Sequence, residues 1–182
     1  EGSCTLRWHE LGDLPAEWWA HIGWKHSRFN LIEYNDIHHV MEWLGDGNGI
    51  YISGTGEGNV VRRNYIHDIP GVGTAAGIRN DDYQYFTLIE GNVIWRVNAA
   101  GVITKNINMV ENNVIADCYG DPRKGFCYLS LRHRGPSFGS GLRRNILFRP
   151  ADGSEPRHAF IENTPLLAEA AVDDNLLWCE LN

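Results

Sequence analysis

Apolar and polar positions along the chain recur in a seven-residue unit: two aliphatic residues, a polar pair, Asn, any residue, then Ile or Leu. It reads Leu31-Ile32-Glu33-Tyr34-Asn35-Asp36-Ile37 and returns at residues 60–66, 88–94 and 109–115, with weaker copies at 141–147 and 171–177. The Asn residues stand at 35, 64, 92, 113, 145 and 175, at spacings of 29, 28, 21, 32 and 30. Three positions before the Asn stand Ile32, Val61, Ile89, Val110, Leu142 and Val172; two after it stand Ile37, Ile66, Ile94, Ile115, Leu147 and Leu177. Both columns are aliphatic throughout, so both are predicted to face inward and stack on themselves. The column Glu33, Arg62, Glu90, Glu111, Arg143 and Asp173 is charged throughout, so it faces water. Its partial alternation of sign suits neighbours at the ~4.8 Å strand spacing. Asp68, Arg96, Asp117 and Arg149, four after the Asn, alternate too.

The Asn column predicts a tight bend in which Asn takes the left-handed conformation and its amide bonds to the Asn of the neighbouring coil. A later strand follows a variable loop: residues 49–53 align with 77–81 and 101–105, and less closely with 128–132 and 159–163. Coils of 21 to 32 residues carrying two or three short strands describe an all-β fold, a parallel β-helix solenoid of about six coils with an Asn ladder. Six coils span roughly 29 Å. No coil shows the 3.6-residue apolar period of a helical solenoid.

Composition narrows the classes. With 182 residues, 43% hydrophobic and 21% charged, the chain suits one compact domain rather than a disordered segment. A net charge of -7 argues against a nucleic-acid partner, and the lack of an apolar run near about 18 residues argues against a transmembrane helix. Residues 1–28 are predicted to form an N-terminal cap and 29–182 the β-helix. Trp18 and Trp19 read as a plug for the open end, Pro15 to Ala20 as a short helix within the cap, and Trp43 as either plug or platform. Cys4, Cys118, Cys127 and Cys179 form no C-x-x-C pair, so no structural zinc site is expected. A Cys118–Cys127 disulfide and four thiols both remain open. The chain begins at Glu1 without a signal peptide and reads as a mature product or an excised piece.

Inward positions of a β-helix are structural, so chemistry is expected on an outer face. The later strands place Ser53, Asp81, Lys105 and Arg132 in one outward column, followed by Gly54, Asp82, Asn106 and His133, with Arg79 two residues before Asp81. A glycan cleft needs a proton donor and a carboxylate. Asp81 and Asp82 are the catalytic candidates, with Lys105 beside them; the competing reading is an outer-face salt-bridge ladder. Asp46, in the turn Gly45-Asp46-Gly47-Asn48-Gly49, is the third catalytic candidate. The register sets it seven positions before the Asp81 column, roughly 23 Å if extended, too far to act with Asp81 unless the loop folds back. Arg79, Lys105, Arg132, His133, Trp43 and Tyr51 are the candidate substrate-binding residues. The basic run Arg132-His133-Arg134 suits either an acidic sugar or simple balance of the acidic surface. His38 and His67 align on adjacent coils, but no third ligand is evident; ring stacking is expected rather than a metal site.

The stretches Gly45-Asp46-Gly47-Asn48-Gly49-Ile50-Tyr51, residues 59–68 (NVVRRNYIHD) and Gly77-Ile78-Arg79-Asn80-Asp81-Asp82 resemble the right-handed parallel β-helix carbohydrate-active proteins, which share the pectate-lyase-like solenoid. The nearer branch is the β-helix glycoside hydrolases of fucosidase and xylanase type. The resemblance covers about residues 21 to 182, although members usually carry more coils. It implies a right-handed solenoid, a polysaccharide or oligosaccharide substrate and an extracellular or periplasmic setting. Three functions follow from it. One is a glycoside hydrolase without a cofactor. Another is a polysaccharide lyase in which Lys105 or Arg132 abstracts a proton and Asp81 and Asp82 hold Ca²⁺. The third is a non-catalytic binding or scaffold module. Oligomeric state stays open, since uncapped solenoid ends can pair.

Overall fold

The computed structural model describes residues 19–71, 74–118, 128–132, 138–149 and 170–179. A one-turn helix, α1 (Trp19–Ile22), precedes the first coil, which is β1 (Leu31–Glu33), β2 (Asp36–His38) and β3 (Asn48–Ile52). The second coil is β4 (Val60–Arg62), β5 (Tyr65–Ile69) and β6 (Ala76–Asn80), and the third is β7 (Leu88–Glu90), β8 (Val93–Val97) and β9 (Val102–Lys105). The fourth is β10 (Met109–Glu111), β11 (Val114–Cys118) and β12 (Leu129–Arg132). Two further rungs follow, β13 (Gly141–Arg143) with β14 (Ile146–Arg149), and β15 (Ala171–Asp173) with β16 (Leu176–Cys179). The first sheet runs β1-β4-β7-β10-β13-β15, the second β2-β5-β8-β11-β14-β16 and the third β3-β6-β9-β12. Each neighbouring pair is parallel, as in β1 with β4 and β3 with β6. The chain is therefore the predicted parallel β-helix. Among the described residues, six rungs form the first two sheets and four are completed by a third strand.

Register agrees with the sequence columns: Ile32 pairs with Val61, Val61 with Ile89 and Ile66 with Ile94. Val61, Ile89, Val110, Ile66, Ile94 and Ile115 have no exposed surface, and burying each contributes ~1.5–3 kcal/mol. In the last rung Val172 and Leu177 occupy the same columns yet are exposed, because only one side of that rung has a stacked neighbour among the described residues. Gly49, Gly77 and Gly101 open the strands of the third sheet for a steric reason. A Cβ on Gly77 would stand 2.7 Å from the carbonyl oxygen of Gly101, and one on Gly101 2.6 Å from that of Tyr128.

The Asn ladder is complete from Asn35 to Asn175. Each backbone N–H donates to the side-chain oxygen of the next coil's Asn, at 3.1 Å for Asn35 to Asn64 and 2.9 Å for Asn92 to Asn113. The side-chain amide donates to the same oxygen. The predicted bend is one residue displaced. The left-handed residues are Tyr34, Arg63, Gly91, Asn112, Arg144 and Asp174, each just before the ladder Asn, with φ from 53° to 61°. The reason is orientation: this bend turns the next side chain inward, where the amide can reach its neighbour, while the strained residue points to solvent. A second, shorter ladder lies five residues earlier, where Asn59 Oδ1 accepts from the Asn30 N–H at 3.0 Å and Asn108 Oδ1 accepts from the Thr87 N–H at 2.8 Å.

The charged column of the first sheet pairs as predicted, with Arg62 Nε 2.7 Å from Glu33 and Arg62 Nη1 3.9 Å from Glu90. The outward positions of the second sheet differ in character. One row aligns Tyr65, Val93, Val114, Ile146 and Leu176. The other aligns His67, Trp95, Ala116, Phe148 and Trp178. His38 and His67 stack with ring centroids 5.1 Å apart, as expected, and His67 also lies 2.9 Å from Asp36 and 2.7 Å from Asp68. Trp18, Cys127, His133, Arg134 and the strand expected at 159–163 lie outside the described residues. No described helix is long and apolar enough to cross a membrane.

Candidate functional site

Side-chain alternation along the third sheet puts Ile50, Ile78 and Val102 inside and Tyr51, Arg79 and Ile103 outside, in register across three strands. One step further, Lys105 stands opposite Arg132. The Asp81 N–H donates to Ile52 O at 2.8 Å, which carries the β3–β6 pairing one residue beyond β6. The outward column Ser53, Asp81, Lys105, Arg132 predicted from sequence is therefore present. Its burial was not foreseen. Arg79, Asp81, Ile103 and Lys105 face outward from a solenoid sheet, yet all four are buried.

These side chains form one chain of alternating charge. Arg79 Nη2 lies 2.8 Å from Asp81 Oδ2, and the Tyr51 hydroxyl donates to the same oxygen at 2.7 Å. The Lys105 ammonium contacts Asp81 Oδ1 and lies 2.6 Å from Asp82 Oδ1. At the other end Arg79 Nη1 lies 3.2 Å from Asp46 Oδ1, which also accepts from the Thr74 hydroxyl at 2.7 Å. The order is Asp46, Arg79, Asp81, Lys105, Asp82.

Asp46 therefore joins the Asp81 cluster through one guanidinium, which corrects the expected separation of the two. The extended-chain distance counted backbone only. Arg79 spans the interval with its own side chain, and the turn carrying Asp46 is tied to the next coil by the Thr74 N–H, which donates to Gly45 O at 3.1 Å.

Exposure sorts the three carboxylates. The side chain of Asp81 is 9% exposed, that of Asp82 46% and that of Asp46 84%. Burial pushes the Asp81 carboxyl upward, but Lys105, Tyr51 and Arg79 together outweigh it and hold the group at about 2. Asp81 is thus ionised near neutral pH with both oxygens occupied. Tyr51 is raised, first by burial and then by its bond to Asp81. Its ring is half exposed, with the Arg79 guanidinium 5.7 Å from its centroid.

Of the remaining candidates, Arg132 is half-buried at the end of β12, and His133 lies outside the described residues. Trp43 is 93% exposed, so its ring faces solvent. Sequence reasoning missed Thr74, although its signal was available: Asp46 and Thr74 are each two residues before the paired Asn48 and Ala76. It also missed Lys25, whose ammonium donates to Tyr83 O and stands 5.9 Å from the Tyr83 ring centroid. Among the described residues no three or more His, Cys, Asp or Glu converge as a metal site. A cation bound between Asp81 and Asp82 would have to displace Lys105.

Residues 17–136 match the family model for the right handed beta helix region. No curated protein matches the chain, and no solved structure does.

Proposed function

Because the chain belongs to the right-handed β-helix family, a membership consistent with a carbohydrate-active or carbohydrate-binding role, we propose that it hydrolyses a glycan lying along the outer face of the third sheet. The observation that carries this reading is the division of labour in the charge chain. Its centre, Arg79–Asp81–Lys105, is buried and ion-paired, while Asp46 and Asp82, each paired to that centre, are carboxylates open to solvent. Hydrolysis needs two accessible carboxyl groups, one to protonate the leaving oxygen and one to activate water or attack the sugar carbon. Asp46 and Asp82 take these roles. The glycosidic carbon–oxygen bond breaks, the leaving oxygen gains a proton, and water supplies the hydroxyl on the sugar carbon. Asp81 and Lys105 fix the Asp82 carboxylate, and Arg79 with Thr74 fixes Asp46. Exposed Tyr51 and Trp43 offer ring faces for sugar.

The geometry favours hydrolysis over elimination. Of the two bases that elimination could use, Lys105 and Arg132, the Lys105 side chain is 6% exposed and held between two carboxylates.

A polysaccharide panel read for new reducing ends and for the ultraviolet absorbance of an unsaturated sugar tests the proposal. The wild type should release reducing ends without the absorbance. Asp82→Asn and Asp46→Asn should each lower the rate by at least about a hundredfold, in keeping with loss of a general acid or base. An unsaturated product would replace the reading with a lyase. Full activity in both variants would overturn the roles given to Asp46 and Asp82, and no cleavage of any substrate would leave a binding module.

A further inference from the structure

We propose that the outer face of the second sheet is a separate binding strip for an uncharged, extended polysaccharide. Outward faces of solenoid sheets meet water, and the first sheet sets a charged column beside its apolar outward row of Leu31, Val60, Leu88 and Met109. The second sheet does not. From the third rung onward both of its outward rows are apolar, and one stays largely open to water: Val93 and Ile146 are each 41% exposed and Leu176 54%, with Val114 half-buried, while in the other row Trp178 is 58% exposed, Trp95 and Phe148 are half-buried and Ala116 is buried. At its start Tyr65 stacks on His67 at 4.1 Å between centroids, joining the two rows into one surface.

Shape selects the occupant. The rows are two residues apart on each strand, so the strip is about 7 Å wide, and four to six rungs make it roughly 19–29 Å long. That is far below the roughly 800 Å² per partner that a stable protein complex buries. A peptide strand would seek the free backbone of a sheet edge, and this strip is a face. A single polymer of flat rings fits a narrow apolar strip that presents one side-chain pair per rung.

Charge selects the subclass. Along the margin Asp68 is matched by Arg96 at 2.6 Å, and the Arg96 guanidinium lies 3.8 Å from the Trp95 ring centroid. The margin therefore offers hydrogen-bonding groups without net positive charge, on a chain of net charge -7. An acidic glycan is disfavoured, and a neutral one is not.

The strip lies on a different sheet from Asp46 and Asp82, so its test needs no catalytic activity. Co-sedimentation with microcrystalline cellulose and with insoluble xylan, at low and high salt, should retain the wild type equally in both salts. Trp178→Ala and Ile146→Lys should weaken retention at least tenfold while melting with the wild type. Glu90→Lys, a charge control on the first sheet, should bind normally. Absence of retention on both polysaccharides, equal retention of Ile146→Lys, or loss of binding at high salt would overturn the proposal. A concentration-dependent dimer in sedimentation velocity, abolished by Ile146→Lys, would assign the face to a second copy instead.

Discussion

Replacing Asp81 with Asn keeps the side-chain shape and removes its charge. The carboxylate lies between Arg79 and Lys105, with the Tyr51 hydroxyl on Oδ2, and is held at about 2 against an ordinary 3.8. Each tenfold change in proton affinity is worth about 1.4 kcal/mol, so ionised Asp81 contributes roughly 2–3 kcal/mol to folding. The folded value lies below the unfolded one. The contribution is therefore complete above about pH 5 and is lost as pH falls through 3.8 toward 2. Losing one partner of a buried pair costs about 3–5 kcal/mol, but Lys105 retains Asp82 and Arg79 retains Asp46, so about 3 kcal/mol is expected at neutral pH. Urea unfolding of wild type and variant, compared at about pH 7, 5 and 2.5, reads this directly, since the other carboxylates titrate in both proteins and cancel. The gap should be equal at the first two values and should shrink by about 1.6 kcal/mol, to roughly half, at the third. A gap under about 1 kcal/mol at neutral pH, or one that does not change with pH, would refute a buried, ionised Asp81.

Two further predictions concern the scaffold. Asn113→Ala removes the acceptor of the Asn92 N–H and leaves Ile89 O without its side-chain donor, so it should cost about 3 kcal/mol in denaturant unfolding. The same change at exposed Asn35 should cost much less, and equal costs would mean the ladder gains nothing from burial. Gly91→Ala meets only left-handed strain, with the nearest atom 3.8 Å from the added Cβ, and should cost about 1 kcal/mol. Gly77→Ala drives its Cβ against Ile94 and the Gly101 carbonyl and should cost at least about 2–3 kcal/mol. The reverse order of melting temperatures would contradict the steric account.

The fold was legible because each coil repeats the same inward residues, and stacking makes a column in sequence into a contact in space. The bend was misassigned by one residue because repetition reveals residue type and not φ. Asn is uniform since its amide must reach the next coil, whereas the left-handed position accepts Tyr, Arg, Gly, Asn or Asp so long as it faces solvent. The register of Asp81, Lys105 and Arg132 was legible for the same reason as the core. The link to Asp46 was not, because Arg79 runs its side chain across the interval that the backbone count leaves open. Nor was the burial of Asp81, since an outward position on a solenoid is ordinarily wet.

That burial separates the third sheet from the charge ladder of the first. Arg62 and Glu33 are partly exposed, and pairs of that kind are worth about 0–1 kcal/mol and cost little to form. Arg79, Asp81 and Lys105 are withdrawn from water at a desolvation cost of several kcal/mol per ion, which pairing repays only in part. Apolar side chains in the same column would stabilise the sheet more simply, as Ile103 does between them. The network does supply something that apolar packing cannot, a rigid arrangement of charge ending in two exposed carboxylates tied to it at 3.2 and 2.6 Å. A stability-only network predicts that Asp81→Leu with Arg79→Met and Lys105→Met folds as well as the wild type or better and keeps every activity. The site reading predicts that this triple variant folds but loses glycan cleavage, because Asp46 loses Arg79 and Asp82 loses Lys105.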